Sequence, residues 1–398
     1  MLNAAPKLHF DKPFTQQEPL GEAAIARAVE VMRTGRLHRY NTLDGEAGDV
    51  AELEAEYAAW QGVPFCLATG SGGAAMQIAL RALGLKAGEP VLTNAFTLAP
   101  VPGAIAAAGG VPIFVETSAE LTVDLDDLAA KFESTGAKIF LASHMRGHLA
   151  DMEKLTALVD AHGARMIEDC AHTMGAAWNG RPSGNFGLVA CFSTQTYKHM
   201  NSGEGGFLTT ADPDVMARAT VLSGSYMLYA RHLARPGEEA YATARLEMPN
   251  CSSRMDNLRA AILRAQLPDL RRNIQRWNKR YFAVEAELKR SEELTIIERP
   301  KAESIVGSSI QFLIPESDDN AARDFVRRCA ARGIELKWFG DGQPVGFTSR
   351  YDSWTYAPPQ ELPQSKRILA RLMDMRIPLS FTVEDCSLIG SIIADEAS

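Results

Sequence analysis

Lys198 stands in the stretch STQTYKHMNSGEGG, residues 193–206, between two apolar runs that are typical of β-strands. A lysine amine acts as a nucleophile or proton carrier only when it is neutral part of the time, which requires desolvation or a neighbouring cation. Between Asp169 and Lys198 the only Asp, Glu, Lys or Arg is Arg181, which is consistent with a dry pocket. The alternative is a solvated lysine on a surface loop.

Two adjacent acids, Glu168 and Asp169, close the apolar run ARMIED, residues 164–169. In an α/β sheet, side chains at the carboxyl ends of strands face the region where ligands bind. The alternative for Asp169 is a turn or helix-cap acid. His172 follows three residues later, and its alternative is a buried or turn histidine with no ligand.

Small residues open the segment SGGAAMQIALRAL, residues 71–83, which follows a strand-like run and has helical periodicity. A helix N-terminus with small residues lets backbone N–H groups approach an anion, and the helix dipole favours negative charge there. The segment is neither a P-loop nor a G-x-G-x-x-G motif. It predicts either a phosphate site at Gly72 and Gly73 or a plain glycine-rich turn.

One cofactor, pyridoxal 5′-phosphate, needs all three features. Its phosphate suits the helix start, an acid keeps its pyridine nitrogen protonated, and a lysine forms the Schiff base and moves the proton. Taken together, Gly72, Asp169 and Lys198 therefore predict a pyridoxal phosphate site.

The elements that position these residues alternate between strand and helix. Strands are predicted at 64–69, 90–94, 111–116, 137–143, 164–169, 188–193 and 206–210, and helices at 71–84, 98–108, 124–134 and 151–162. Such alternation favours an α/β fold with a mainly parallel sheet in a large domain. We place this domain at residues 15–250, with residues 225–250 as an irregular loop.

The pattern changes after residue 250, where we predict a smaller α+β domain at 251–398. Helices are predicted at 255–267, at 270–288 and at 320–332, and strands at 308–314 and 375–380. Arginines at 271, 272, 276 and 280 follow one face of the second helix. We interpret them as a solvated face rather than a nucleic-acid stripe.

Composition limits the function classes. The chain has 398 residues, a net charge of −8 and 46% hydrophobic residues, which is typical of a soluble globular protein and makes nucleic acid an unexpected partner. Its start has no apolar signal-peptide region, and no run is long enough to span a membrane. None of the six cysteines forms a C-x-x-C pair, which favours reduced thiols and a cytoplasmic protein. His144 and His148 are four residues apart, but no third ligand has suitable spacing, so we expect no metal site.

Four motifs resemble the DegT/DnrJ/StrS family of sugar aminotransferases, which have the pyridoxal-phosphate fold type I. The resemblance runs from about residue 15 to the C-terminus. The family's S-G-T-x-A-L, H-x-x-G-x-x-A-D-M, E-D-x-A-[QH]-x-x-G-A and F-S-x4-K-x4-G-E-G-G are similar to Ser71–Met76, His144–Met152, Glu168–Ala176 and Phe192–Gly206.

The resemblance implies a role for each matched residue. Lys198 would carry the Schiff base, Asp169 would pair with the pyridine nitrogen, and His172 would lie near the 3′ oxygen of the ring. Ser193, together with the amides of Gly72, Gly73 and Ala74, would hold the phosphate. Family members are dimers in which the neighbouring subunit completes each site through N-Y-R-M.

The chain departs from the family pattern around the cofactor. Gly73 replaces a threonine that could reach the phosphate, and Leu98 stands where an aromatic residue stacks on the ring. Either Leu98 or Phe96 would cover the ring. In the N-Y-R-M segment the Asn position is Ser252, and Asn250 is a possible substitute.

The resemblance implies an aminotransferase that passes an amino group from glutamate or glutamine to a keto sugar or related keto compound. A dehydratase using pyridoxamine phosphate is one alternative, although that branch has a histidine for the lysine. A non-catalytic regulatory relative is another. Five aromatic residues are candidate contacts of the acceptor, with core packing as the alternative: Tyr226, Tyr229, His232, Trp338 and Trp354.

Overall fold

The computed structural model describes residues 8–398. Residues 1–7, which belong to the stretch predicted to lack a signal peptide, lie outside the described residues. We number the elements in chain order. The helices are α1 (Glu22–Thr34), α2 (Asp49–Gln61), α3 (Gly72–Ala82), α4 (Pro100–Ala107), α5 (Leu125–Thr135), α6 (Met152–Ala161), α7 (Pro213–Ser223), α8 (Tyr241–Glu247), α9 (Asn257–Gln266), α10 (Leu270–Leu288), α11 (Asp319–Ala331), α12 (Pro363–Leu369) and α13 (Val383–Ala397). The strands are β1 (Phe65–Thr69), β2 (Pro90–Asn94), β3 (Val111–Val115), β4 (Ile139–Ser143), β5 (Arg165–Asp169), β6 (Ala177–Trp178), β7 (Arg181–Pro182), β8 (Val189–Ser193), β9 (Gly206–Thr210), β10 (Thr295–Ile296), β11 (Glu303–Ser304), β12 (Ser309–Leu313), β13 (Lys337–Trp338) and β14 (Leu372–Arg376).

The central sheet has seven strands in the order β1-β9-β8-β5-β4-β2-β3. Four neighbouring pairs run parallel, and β9 runs antiparallel to both β1 and β8. Successive residues of each strand face opposite sides, so Leu141 packs with α3 and α4 while Phe140 packs with α5 and α6. Helices therefore cover both faces, and the predicted mainly parallel α/β fold is confirmed.

A second sheet, in the order β10-β12-β14-β13, is antiparallel and lies in the C-terminal part of the chain. It packs against α10, α11 and α13 in a separate apolar core. Helix α10 connects the cores, because Leu270 packs near α2 and α9 whereas Val284 packs against this second sheet. The proposed domain boundary at residue 250 stays a prediction, and α9, which follows it, packs against α1 and α2.

Two predicted segments differ from the structure. The loop predicted at 225–250 contains helix α8 and two single-turn helices, and Tyr241 of α8 is fully buried. The strand predicted at 375–380 lies earlier, at Leu372–Arg376, and Pro378, which cannot donate a ladder hydrogen bond, follows it. The buried acid Asp374 interrupts the apolar pattern of this strand, so the pattern predicted the strand at the wrong position.

Among residues 8–398, no helix combines the length and the apolar character that crossing a bilayer would require.

Candidate active site

A cavity of about 670 Å³ opens at the carboxyl ends of β4, β5 and β8, beside the start of α3. This is the edge where ligands bind in parallel α/β sheets. Seven of the residues predicted to be catalytic or to bind the cofactor line it, and these are Gly72, Gly73, Leu98, Asp169, His172, Ser193 and Lys198. The fold therefore brings residues more than a hundred positions apart into one cavity.

The start of α3 presents free backbone N–H groups to the cavity. The first intrahelical hydrogen bond is donated by the Ala75 N–H to the Ser71 carbonyl at 3.0 Å, so the amides of Gly72 and Gly73 come before it. The Ala74 N–H donates instead to the Ser71 hydroxyl at 3.0 Å, so the helix cap already uses it. An anion at this end would therefore meet Gly72 and Gly73 before Ala74.

Gly72 also sets how closely α3 approaches β8. A Cβ at this position would lie 2.9 Å from the Cβ of Ser193 and 3.3 Å from the Phe192 carbonyl oxygen. A Cβ at Gly73 would meet only the Ser71 hydroxyl, at 3.8 Å. Close packing thus requires glycine at position 72, whereas position 73 has room for a side chain.

Lys198 reaches the cavity from the loop after β8. Its Nζ lies 2.8 Å from Nε2 of His172. Burial, with further repulsion from Arg146, lowers the pKa of Lys198 to about 7, although Asp169 acts in the opposite direction. The side chain still opens onto the cavity, so solvent there reaches it while the surrounding protein removes most of its hydration. The amine therefore exchanges between charged and neutral forms near neutral pH.

Asp169 is buried at the end of β5, and its oxygens accept hydrogen bonds from the Ala171 N–H at 3.1 Å and the Ser143 hydroxyl at 3.3 Å. Burial raises the pKa of this carboxyl group. Burial, together with Lys198 and Arg146, also holds the pKa of His172 well below its usual range, so that ring is neutral.

The polar groups that line the cavity fit pyridoxal 5′-phosphate. A buried carboxylate in a cavity wall favours a cationic partner, as a protonated ring nitrogen would be, because desolvation penalises its unpaired charge. The α3 amides and the Ser193 hydroxyl suit a phosphate, and the lysine amine suits an aldehyde. Each of these groups lines the same cavity.

Leu98, and not Phe96, lies at the cavity. Phe96 is 1% exposed and packs edge-on against Phe339, with ring centroids 5.1 Å apart. Leu98 is half-buried and lines the cavity wall. Of the two candidates for covering the cofactor ring, Leu98 has the position for it.

Asn250 and Ser252 lie outside the cavity of their own chain. The Asn250 side-chain oxygen accepts hydrogen bonds from the Ser252 N–H at 2.9 Å and from its hydroxyl at 3.2 Å. Ser252 has a φ of 50°, in the left-handed region. Both residues are exposed and lie in the loop between α8 and α9.

The candidate acceptor contacts separate into one cavity residue and four others. Trp354 lines the cavity. His232 is buried with Tyr40 and Glu54, Tyr229 stacks on Tyr241, and Tyr226 is exposed. Trp338 is buried and donates to the Ala370 carbonyl at 2.8 Å.

Sequence reasoning missed three cations of the cavity wall, Arg146, Lys337 and Arg376. Arg146 stands between two matched letters of the motif at 144–152, which is the only signal that would have pointed to it.

His144, Glu168 and Cys170 place ligand-type atoms within 4.8 Å of one another. His148 is not part of this cluster, and its Nε2 lies 2.9 Å from the side-chain oxygen of Gln311. Glu168 accepts hydrogen bonds from the amides of Gly184, Phe186 and Gly187 and contacts His144 at 3.0 Å. The Glu168 oxygens are thus satisfied by groups of the protein itself.

Known proteins resemble the chain over most of its length. It is 33% identical to a pleiotropic regulatory protein of Geobacillus stearothermophilus, over 67% of this chain and 66% of that protein. It is 32% identical to an L-glutamine:2-deoxy-scyllo-inosose aminotransferase of Streptomyces lividus, over 63% of this chain and 59% of that protein. The matches therefore span about three-fifths to two-thirds of these relatives.

Among solved structures, 3-amino-5-hydroxybenzoic acid synthase superposes with a TM-score of 0.82 at 23% identity, over 99% of each chain. AtS13 from Actinomadura melliaura superposes with a TM-score of 0.81 at 25% identity, over 97% of this chain and 99% of that chain. The model of the DegT/DnrJ/EryC1/StrS aminotransferase family matches residues 20–394, and the chain belongs to this family.

Proposed function

We propose that the protein is a pyridoxal-phosphate-dependent aminotransferase that moves an amino group from glutamate or glutamine to a keto sugar or keto cyclitol. The observation that carries the proposal is the contact between Lys198 Nζ and His172 Nε2 at 2.8 Å, in a cavity that also exposes Asp169 and the start of α3. The names of relatives, such as the glutamine-dependent inosose aminotransferase, support the donor and the acceptor class.

Each part of the cofactor has a matching group. Lys198 would hold it covalently, Asp169 would pair with the ring nitrogen, and His172 would lie beside the ring. Gly72, Gly73 and Ser193 would hold the phosphate, and Leu98 would cover the ring. When bound, pyridoxal phosphate supplies an electron sink that lets the amino acid lose its α proton.

The protein residues supply proton transfer and a partly desolvated environment. A lysine with a pKa of about 7 is neutral often enough to accept a proton at neutral pH and acidic enough to return it. His172 is neutral and keeps the Lys198 amine directed into the cavity. The surrounding protein removes most of the hydration of Lys198, which strengthens these interactions.

The dehydratase alternative needs a histidine in the place of Lys198, and the adjacent residue, His199, is a histidine. His199 Nε2 instead lies 3.0 Å from the Ser308 hydroxyl, and its ring packs edge-on against Trp277. Its position thus supports Lys198 as the reacting residue.

The cofactor test uses the visible absorption of the purified protein with pyridoxal phosphate. We expect a bound-cofactor band that disappears on adding glutamate or glutamine, and no such band in Lys198→Ala. Lys366→Ala, at an exposed lysine of α12, is the control and should behave like wild type. A wild-type protein that lacks the band, or whose band ignores both donors, would contradict the aminotransferase and leave a non-catalytic role.

We also propose a cytoplasmic homodimer in which Asn250 and Ser252 of one subunit complete the site of the other. Their exposed position outside their own cavity supports this arrangement. Lys198→Ala and the double variant Asn250→Ala/Ser252→Ala should each be inactive alone. Mixing the two should restore part of the aminotransferase activity, because some mixed dimers hold one intact site. Mixtures that stay inactive after subunit exchange would contradict shared sites.

A further inference from the structure

Three cations form one part of the cavity wall, and we call Arg146, Lys337 and Arg376 the cationic wall. They come from the turn after β4, from β13 and from β14. The acids that line the cavity are Asp169 and Glu204. Because Asp169 is assigned to the ring nitrogen in the proposed function, it does not neutralise the cationic wall.

Arg146 is buried and only partly satisfied. It is 7% exposed, and its backbone has a φ of 56°, which is unusual for a residue other than glycine. Its backbone N–H donates to Nδ1 of His172 at 3.3 Å, which fixes the turn beside the cofactor residues. Nε of its guanidinium has no hydrogen-bond acceptor among the described residues.

One carboxylate, that of Asp374, lies close to two of these cations, Arg146 and Lys337. Asp374 is fully buried, and its Oδ2 lies 2.7 Å from Arg146 Nη2 and 3.9 Å from Lys337 Nζ. Its Oδ1 accepts a hydrogen bond from Gln311 Nε2 at 2.8 Å, which fixes its orientation. A single negative charge thus faces two positive ones.

Arg376 adds further positive charge. Its guanidinium carbon lies 3.8 Å from the centre of the Tyr197 ring, and its nearest acid, Glu335, is 3.9 Å away. Burial, together with Arg146 and Arg376, lowers the pKa of Lys337 to about 8, although Asp374 acts in the opposite direction. The cationic wall therefore has more positive charge than its acids offset.

We propose that the cationic wall binds an anionic substituent, a carboxylate or a phosphate, of the amino acceptor. This inference rests on the proposed function, and it makes the acceptor an acidic keto sugar or keto cyclitol rather than a neutral one. Both half-reactions use the same cavity, and a neutral polyol would leave the excess positive charge of the cationic wall desolvated and without a counter-charge. Charge-assisted hydrogen bonds from two arginines match the oxygens of either anion.

The test measures binding of small cyclic ketones to the pyridoxal-phosphate-loaded protein by calorimetry, without turnover. The probes are 3-oxocyclohexane-1-carboxylate, its uncharged methyl ester and 3-oxocyclohexyl phosphate. We expect either anion to bind at least about tenfold more tightly than the ester. Comparing the carboxylate with the phosphate shows which anion the wall prefers.

Lys337→Gln and Arg376→Gln should each reduce the preference for the anion about tenfold, while Arg367→Gln, at an exposed arginine of α12, should leave it unchanged. These variants keep the Arg146–Asp374 pair, so we expect them to fold. Equal binding of acid and ester, or undetectable binding of both anions, would overturn the proposal. Variants that lose pyridoxal phosphate would also overturn the proposal. Variants that keep the preference for the anion over the ester, and only slow the reaction of the bound cofactor with glutamate, would overturn it as well.

The two proposals fail separately. A protein that shows the cofactor band and responds to glutamate, but does not distinguish acid from ester, retains the aminotransferase and loses the anionic acceptor. A protein that lacks the band loses the aminotransferase, while the apoprotein can still be tested for an anion preference that depends on Lys337 and Arg376.

Discussion

Nε2 of His172 lies 2.8 Å from Nζ of Lys198, while its Nδ1 accepts a hydrogen bond from the Arg146 N–H at 3.3 Å. In a neutral imidazole one nitrogen donates and the other accepts. Because Nδ1 accepts, Nε2 carries the hydrogen and donates to the lone pair of a neutral lysine amine. The geometry thus favours the same form of Lys198 that its lowered pKa favours.

Replacing His172 should raise the pKa of Lys198. His172→Phe removes the donor to the neutral amine, and one such hydrogen bond contributes about 1 kcal/mol, so the pKa should rise by about half to one pH unit. The measurement is the pH dependence of the rate at which apoprotein captures pyridoxal phosphate, whose midpoint should move upward from about 7. His162→Phe, at a partly exposed ring, is the control. An unchanged midpoint would show that the contact does not control the amine.

Lys198 should destabilise the apoprotein below neutral pH. The unfolded chain keeps the lysine proton up to its ordinary pKa of 10.5, whereas the folded chain releases it near 7, so wild-type stability rises with pH between these values. Lys198→Met should therefore be more stable than wild type by on the order of 2 kcal/mol at pH 6, after discounting for solvent in the cavity. The gain should shrink towards pH 10. Urea unfolding of both apoproteins at several pH values measures it, and a gain independent of pH would refute the assignment.

The site residues that could be predicted from the sequence are those at the ends of regular elements. Asp169 and Ser193 close strands with clear apolar runs, and Gly72 opens a helix with a clear apolar stripe. The end of a strand and the start of a helix can be predicted from the local sequence. A parallel sheet then brings the carboxyl ends of its strands to one edge, where these residues meet.

The cationic wall and helix α2 could not be predicted in this way. Lys337 and Arg376 reach the cavity only because the second sheet packs beside the first, which no local pattern encodes. Helix α2 buries Asp49 and Glu54, which pair with Arg264 and Arg39, so its apolar periodicity is lost. Contacts between distant parts of the chain thus explain both omissions, through sheet packing in the first case and through ion pairs in the second.

Gly72 and Gly73 should respond differently to the same change. Gly72→Ala places a Cβ 2.9 Å from the Ser193 Cβ, so α3 must move and stability should fall by about 1–3 kcal/mol. Gly73→Ala meets only the Ser71 hydroxyl, at 3.8 Å, so helix propensity should make it neutral or stabilising by up to about 1 kcal/mol. Unfolding of the two apoproteins compares them directly. Equal losses would mean that α3 does not pack against β8 as closely as described.

Phe96 and Leu98 separate core packing from cofactor contact. Phe96 is fully buried beside Phe339, so Phe96→Ala should destabilise the apoprotein by about 3–5 kcal/mol. Leu98 is half-buried at the cavity, so Leu98→Ala should cost about 1 kcal/mol or less but weaken pyridoxal phosphate binding severalfold. Urea unfolding and equilibrium titration with the cofactor measure the two effects on each variant. If Leu98→Ala keeps the wild-type cofactor affinity while Phe96→Ala loses it at conditions where both are folded, then Phe96 covers the ring and the aliphatic cover is wrong.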